Sequence, residues 1–529
     1  MHWFDELLPK VQGHFEGKPR AVISAGLSVS GLQHVGRLRG EISLSHFLAT
    51  ALRQAGVAVD QKVVCYTQDQ WKASDHQVAQ FRDGNGAKYT GWRLEDVPDP
   101  CGKHRNWVDH YWEDFGGNLD MFAPGIQVVS TTEVYRLPAM KALVREVAGK
   151  KEEVRAVVNK YRERKPYPEG WIPFEPRCDS CQRIGAAKAL GFDGDLVEYE
   201  CECGHGGKSS IELGKLNWRL EWPALWKVLR VDVEPFGKDH ATPGGSRDSC
   251  KEIARTIMGF DPPFGIPYEW VGYVKDGVEG DMGSSDFEGF GPGAWLQVGT
   301  PEVLRFLFAY APLSRRLVLD LAKVDVYFDQ YDAANALFHG KPASDDESHQ
   351  ARAWEIAQRA GSPALAWVLR YRHAAYLSQI APREGTVAWV ERRMRDTGML
   401  ERDLTAAERE ELGLRLRLSR AWVTTHSPEN QVALLERLED RVTVRLDEGD
   451  RAALRAFAGK ADGIAWNEAA IKEAMVSLTK SGALPVPTPR FFRALYLVLL
   501  GQEQGPRAAP FLAILEKAWV VARLREAAA

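Results

Sequence analysis

The hydrophobic pattern of the first ninety residues alternates short apolar runs with helix-length amphipathic stretches. Arg20 to Ala25 (RAVISA) is short and apolar, Gly26 and Gly31 punctuate a loop, and Gly36 to Ala55 carries apolar residues at helical spacing, which predicts strand, loop and helix. A second apolar run, Lys62 to Tyr66, follows one helix length later, the spacing of a βαβ unit with a parallel sheet. From Tyr89 to Tyr111 the pattern dissolves into Pro, Gly, Trp and His, and Val97 to Pro100 (VPDP) cannot sit inside a regular helix because each proline lacks its amide donor. An insertion is expected to begin there. Leu137 to Tyr161 predicts a charged amphipathic helix and Pro166 to Pro176 a proline-broken linker, after which Val231 to Trp270 reads again as strand, glycine-containing loop and helix. Beyond Pro301 strand signals fade and Leu, Ala and Arg at helical spacing predict a helical domain.

Composition adds bounds to that outline. A chain of 529 residues exceeds what one hydrophobic core organises, so several domains are expected. With 45% apolar and 26% charged residues it is an ordinary globular chain. No apolar run approaches the length of a membrane span, and Met1 to Gly17 is amphipathic and acidic, so neither a membrane segment nor a signal peptide is expected. The net charge of −4 argues against coating nucleic acid by bulk attraction. Local basic faces remain, with Arg370, Arg372, Arg392, Arg393 and Arg395 as candidates, although a charged helix face is more often simply solvated.

Four stretches carry candidate chemistry. In GLSVSGLQHVGRLRG a glycine-containing loop leads through His34 and Gly36 into a helix, whose free amides and partial positive charge suit a triphosphate; the bland alternative is a βα turn with an incidental histidine. Cys178 and Cys181, followed after about twenty residues by Cys201, Cys203 and His205, have near zinc-ribbon spacing. The fourth ligand is left open between Cys203 and His205, and with no water-activating carboxylate nearby the site reads as structural. Four of the seven cysteines crowd into this stretch, which favours a metal over disulfides and a cytoplasmic setting. KLNWRLEWPALW (Lys215 to Trp226) is followed by the loop FGKDHATPGG, placed after the apolar run Val228 to Val233, where ligand-binding loops of α/β sheets gather. Trp218, Trp222 and Trp226 could equally be core. The fourth stretch is Gly277 to Gly291.

In their order these blocks resemble the class I (archaeal-type) lysyl-tRNA synthetases over essentially the whole chain. The resemblance rests on Ser30-Gly31 before His34-Val35-Gly36-Arg37, VPDP with His104, the tryptophan run leading into GKDH and Gly244-Gly245, Tyr268-Glu269-Trp270, Pro301 to Arg305, and the tail Phe491 to Gly501 with Gly505-Pro506-Arg507. It implies an α/β fold: a Rossmann-type parallel sheet with a zinc-binding insertion, followed by an all-α C-terminal domain. The expected boundaries are a catalytic first half at 1–90, an insertion for acceptor-stem contact and zinc at 91–230, a second half with the signature loop at 231–300, and a helical anticodon-binding cage at 301–529. It further implies L-lysine, ATP with Mg²⁺, structural Zn²⁺ and tRNA(Lys) as partners of a cytoplasmic monomer. His34 and Gly36 would meet the ATP phosphates, with Met282 beside the nucleotide and Ser284 and Ser285 in the signature loop. Gly26, Ser28, Trp218, His240 and Tyr268 would line the lysine pocket, and Asp69, Glu221 and Tyr268 are candidates to meet its ammonium.

The signature loop departs from the family pattern. Its stretch is Gly280-Asp281-Met282-Gly283-Ser284-Ser285-Asp286-Phe287, with Asp281 and Asp286 where lysines are expected. Losing one donor to a developing anion costs about 3 to 4 kcal/mol of barrier, and an anion in its place costs more. Lys275 could substitute, or Mg²⁺ could recruit the aspartates. Two alternatives to lysine–tRNA ligation therefore stand: a tRNA-binding protein without catalysis, and an enzyme that hands activated lysine to another acceptor.

Overall fold

The computed structural model describes all residues except 1, 16, 163, 341, 359–364, 383, 481 and 483. The chain forms two compact units, Met1–Asp320 with Ala333–Arg359, and Leu321–Asp332 with Ala360–Ala529.

The first unit is organised by a five-stranded sheet whose strands, in chain order, are β1 (Arg20–Leu27), β2 (Ala58–Cys65), β3 (Gln127–Ser130), β4 (Val233–Gly237) and β5 (Phe264–Tyr268). All pairs are parallel and the spatial order is β5-β4-β1-β2-β3. β1 is a continuous apolar run because both faces of a central parallel strand are covered, and Ala21, Ile23, Ala25 and Leu27 are indeed buried. Strand order reverses between β1 and β4, which opens a crevice beyond their carboxyl ends. β3 lies within the 91–230 stretch expected as an insertion, so the sheet draws its edge strand from inside that stretch. The strand before GKDH is Val233–Gly237, and Val228 belongs instead to the preceding helix, Trp218–Leu229.

The single helix expected from Leu137 to Tyr161 is two, Pro138–Gly149 and Lys151–Lys160. Gly149 weakens the helix at the junction, and the break lets Val144, Val147, Val154 and Val158 reach one core with Leu225 and Ile253. Ala187–Asp193, Leu196–Cys201 and Gly206–Ser210 form the antiparallel sheet of the cysteine module.

The described part of the second unit is helical, with a core built on Phe457, Phe491, Leu495 and Leu512. Arg415, 1% exposed, is buried with both nitrogens of its fork on Asp332 at 2.6 Å. Three of the candidate surface arginines are engaged locally: Arg372 with Asp325, Arg395 with Glu391, and Arg393 with the Ile514 and Leu515 carbonyls. Among the described residues, no helix is long and apolar enough to cross a membrane.

Candidate active site and metal centres

Beyond the carboxyl ends of β1, β4 and β5 lies a cavity of about 540 Å³. Gly26, Ser28, Trp218, His240 and Tyr268, the five residues expected around lysine, all line it, together with His34, Gly36, Met282 and Ser284. Ser285 does not. Gly26 faces the Tyr66 ring so closely that a Cβ would lie 2.5 Å from it, leaving no room for a side chain.

The tryptophans divide by position. Trp226 is core, and its indole and that of Trp222 both donate to Glu234, at 2.8 and 2.7 Å, while Arg247 pairs with the same carboxylate. This buried cluster fixes the wall against which the His240 ring rests, 5.0 Å from that of Trp222. Trp218, 38% exposed, faces the cavity with the Arg219 guanidinium stacked on it.

His34 is buried and its Nδ1 has no hydrogen-bond partner. Burial, with the nearby Arg37 charge, depresses its pKa to about 3, so the imidazole is neutral at physiological pH. The chain after Arg37 does not enter an α-helix directly: Leu38–Leu44 is a π-helix, whose wider turn brings Gly40 against the Tyr268 ring, where any side chain would collide. The same turn sets Glu41 into the cavity wall facing the Tyr268 hydroxyl, with Oε2 buried and unpartnered. Burial raises the Glu41 pKa, and Arg37 partly offsets that.

Two of the carboxylates expected to meet an ammonium already have one. Lys215, 5% exposed, lies 2.5 Å from Asp69 and 2.8 Å from Glu221, which also accepts from the Tyr135 hydroxyl at 3.0 Å. Burial disfavours the Lys215 charge, but the two carboxylates more than offset it and raise its pKa. Glu41 is therefore the acidic group sequence reasoning missed. A glutamate one turn into a helix reads as a solvated face, and only the π-turn redirects it.

The signature loop is closed by paired backbone hydrogen bonds between Gly283 and Glu288, at 2.9 and 3.0 Å, and docks by placing the Ser284 carbonyl against Gly31. Phe287 packs on Trp107 and Tyr111. Asp281 is bound by Arg316, at 2.7 and 2.9 Å, and Arg316 also holds Glu279. Lys275 does not substitute for a loop lysine: it pairs with Val278 at the tip of the hairpin, three residue pairs from Asp281, or roughly 10 Å along the strands.

The four thiolates of Cys178, Cys181, Cys201 and Cys203 cluster within 4.8 Å of one another. Sγ atoms are 3.7 Å apart in the pairs Cys178–Cys203 and Cys181–Cys201. A tetrahedron with Zn–S bonds of about 2.3 Å has edges of about 3.8 Å, so the donors fit zinc. His205 stays outside the cluster, its backbone carbonyl accepting from the Cys201 amide at 2.9 Å and its ring near Tyr199, so Cys203 supplies the fourth position.

A second donor set was not anticipated: Asp99, Cys101, His104 and His110 also gather within 4.8 Å. The Cys101 Sγ lies 3.6 Å from His104 Nδ1 and 3.4 Å from His110 Nδ1, close to the sulfur–nitrogen edge of about 3.5 Å for a tetrahedral zinc. The far nitrogen of His104 meets Glu113 at 3.1 Å, the orienting contact metal-bound imidazoles usually make. The spacing D-x-C-x2-H-x5-H carried the signal, hidden in the Pro- and Gly-rich stretch.

Comparison with known proteins follows the same lines. Residues 1–360 match the family described as tRNA synthetases class I (K), and residues 431–528 match an anticodon binding domain. The chain is 40% identical over 543 residues to the lysine–tRNA ligase of Aeropyrum pernix, covering 100% of this chain and 98% of that one. It is 28% identical to the lysine–tRNA ligases of Methanosphaera stadtmanae and Pyrococcus horikoshii, with 99% of each chain covered in both cases.

Proposed function

Because the chain belongs to the class I tRNA synthetases for lysine, we propose that it is a lysine–tRNA ligase whose active site is the cavity beyond β1, β4 and β5. In the first step the lysine carboxylate attacks the α-phosphorus of ATP; the bond to the bridging oxygen breaks, giving lysyl-adenylate and pyrophosphate. In the second a ribose hydroxyl of the terminal adenosine of tRNA(Lys) attacks the acyl carbon and AMP leaves. Neither step needs a covalent enzyme intermediate, so positioning and charge complementarity carry the rate.

The observation that carries this reading is the pairing, in one cavity, of an unpartnered buried carboxylate oxygen on Glu41 with an unpartnered buried imidazole nitrogen on His34. Glu41 and Tyr268 take the lysine ammonium; Trp218 and His240 flank its aliphatic stem; Gly26 and Ser28 leave space for the amino acid. Neutral His34 donates from Nδ1 to a phosphate oxygen, and Gly36 lets the triphosphate approach the backbone. Met282 and Ser284 cover the nucleotide. Mg²⁺ enters with ATP on the triphosphate oxygens, since Asp281 is committed to Arg316 and Asp286 does not line the cavity.

Zinc in the four-cysteine site would stabilise the module Cys178–Ser210, and a second zinc held by Asp99, Cys101 and His104 of the loop and His110 of the helix Trp107–Phe122 would tie that loop to the helix. Residues 431–528 take the anticodon. Lysine-dependent exchange of labelled pyrophosphate into ATP, followed by charging of a tRNA(Lys) transcript, tests the reading. Absence of exchange makes the chain a tRNA-binding protein only. Exchange without charging makes it a lysine-activating enzyme with another acceptor.

A further inference from the structure

The signature loop carries no cation, yet pyrophosphate must leave with its charge balanced. From Gly280 to Gly291 there is neither Lys nor Arg. Lys275 is held at the distant hairpin tip, and Lys238 is paired with Glu269 at 2.6 Å. We propose that Arg37, at the start of the π-helix, is the catalytic cation that replaces the loop lysines, an assignment that rests on the adenylating reading above.

The geometry supplies what that role needs. Arg37 lines the cavity beside His34, Met282 and Ser284. Its Nε donates to Ser284 Oγ at 2.9 Å, which joins the helix start to the signature loop and fixes the plane of the guanidinium. Among the described residues its two terminal nitrogens have no hydrogen-bond partner, and Glu41, whose charge it feels, does not lie within ion-pair distance. They form a free fork, the shape that binds two phosphate oxygens at once.

Arg39, two residues on, has no such freedom. Its guanidinium is spent on the carbonyls of Glu269, Arg315 and Pro312, at 3.0, 2.8 and 2.8 Å, so it is a structural pin. Asp281, which stands at the first lysine position, is neutralised by Arg316 and does not compete with Arg37 for phosphate. The loop thus turns its serine, and not a lysine, toward the nucleotide, and that serine holds the arginine in place.

During activation the electron pair of the breaking bond passes to the departing pyrophosphate, and the Arg37 fork receives that charge through two N–H donors. No proton is transferred. The role is confined to the first step, so lysine binding should be spared at a pH where Glu41 is ionised without the help of the Arg37 charge.

The test is lysine-dependent pyrophosphate exchange on the full chain. Arg37→Ala should lower kcat by about 100-fold or more and raise the KM for pyrophosphate, while the KM for lysine, measured at alkaline pH where Glu41 stays ionised, remains within threefold. Methylguanidinium in the buffer should restore at least tenfold of the lost rate, which loss of a merely structural contact would not allow. Asp281→Lys placed in the Arg37→Ala background should likewise recover activity by returning a cation to the loop. Wild-type exchange by Arg37→Ala, or a loss that neither methylguanidinium nor the loop lysine relieves, overturns the assignment of Arg37 alone. If the unmodified chain does not exchange, the adenylating reading itself fails, so the two failures are distinguishable.

Discussion

Replacing Glu41 by Gln tests where the lysine ammonium is read. The change keeps the shape of the side chain and its contact with Tyr268, and removes one charge from a largely buried wall. A carboxylate and an ammonium about 4 Å apart attract by roughly 4 kcal/mol at an effective dielectric of about 20. Truncating one partner of such a hydrogen-bonded pair costs about 2 to 5 kcal/mol. The Gln carbonyl still accepts one hydrogen bond, worth about 1 kcal/mol, which leaves about 1 to 4 kcal/mol. At 1.4 kcal/mol per decade the KM for lysine should rise by roughly 5- to 700-fold. The ammonium is remote from the reacting carboxylate, so kcat should change far less. Burial raises the Glu41 pKa, whereas a bound ammonium selects the ionised form, so lysine binding should weaken as pH falls through a window above the usual carboxylate value of about 4.3. Glu41→Gln should flatten that dependence. Pyrophosphate exchange at saturating ATP, with lysine varied at several pH values, measures both effects. A KM within threefold of wild type in Glu41→Gln, with a thirtyfold rise in Asp69→Asn, would refute the reasoning and move the ammonium to the Lys215 cluster.

Further expectations follow from other parts of the first unit. Elemental analysis of the purified chain should find two zinc ions, and Cys203→Ser and His110→Ala should each remove one, whereas His205→Ala should remove none. Lys215→Met leaves Asp69 and nearly fully buried Glu221 without their cation and should cost about 3 kcal/mol in denaturant unfolding, the lower end of the usual range because Asp69 is about a third exposed. Burial, with the Arg305 charge, lowers the His46 pKa to about 4, below the unfolded value of about 6.5. The folded state therefore loses stability as pH drops below about 6.5, by about 1.4 kcal/mol at pH 5.5 for this group, and His46→Gln should remove that share in calorimetry.

What the sequence disclosed depended on how local each signal was. β1 is readable because a central parallel strand is apolar on both faces, β2 only from Lys62 because its first half carries Asp60 and Gln61, and the four-cysteine cluster because its ligands lie in two close pairs. Gly26 lies roughly two hundred positions before Trp218, His240 and Tyr268, which themselves sit on separate elements, so only the order of blocks in a resemblance united these cavity residues. The π-helix at Leu38–Leu44 has no period that sequence reading distinguishes from an α-helix, and Glu41 was hidden with it. Asp69 and Glu221 looked free because Lys215, which satisfies both, reads as one more surface lysine ahead of the tryptophans. β3 was lost in the expected insertion because a four-residue edge strand with exposed Gln127 and Val128 carries little apolar signal.

The central claim is that this chain joins lysine to tRNA without a lysine in its signature loop. Incubating it with ATP, Mg²⁺, labelled lysine and a tRNA(Lys) transcript measures that directly. Acid-precipitable lysyl-tRNA, abolished when the terminal adenosine is removed or His34 is changed to Ala, is the expected result. No acylation by a folded, zinc-replete chain, under conditions where another lysine–tRNA ligase charges the same transcript, would contradict it.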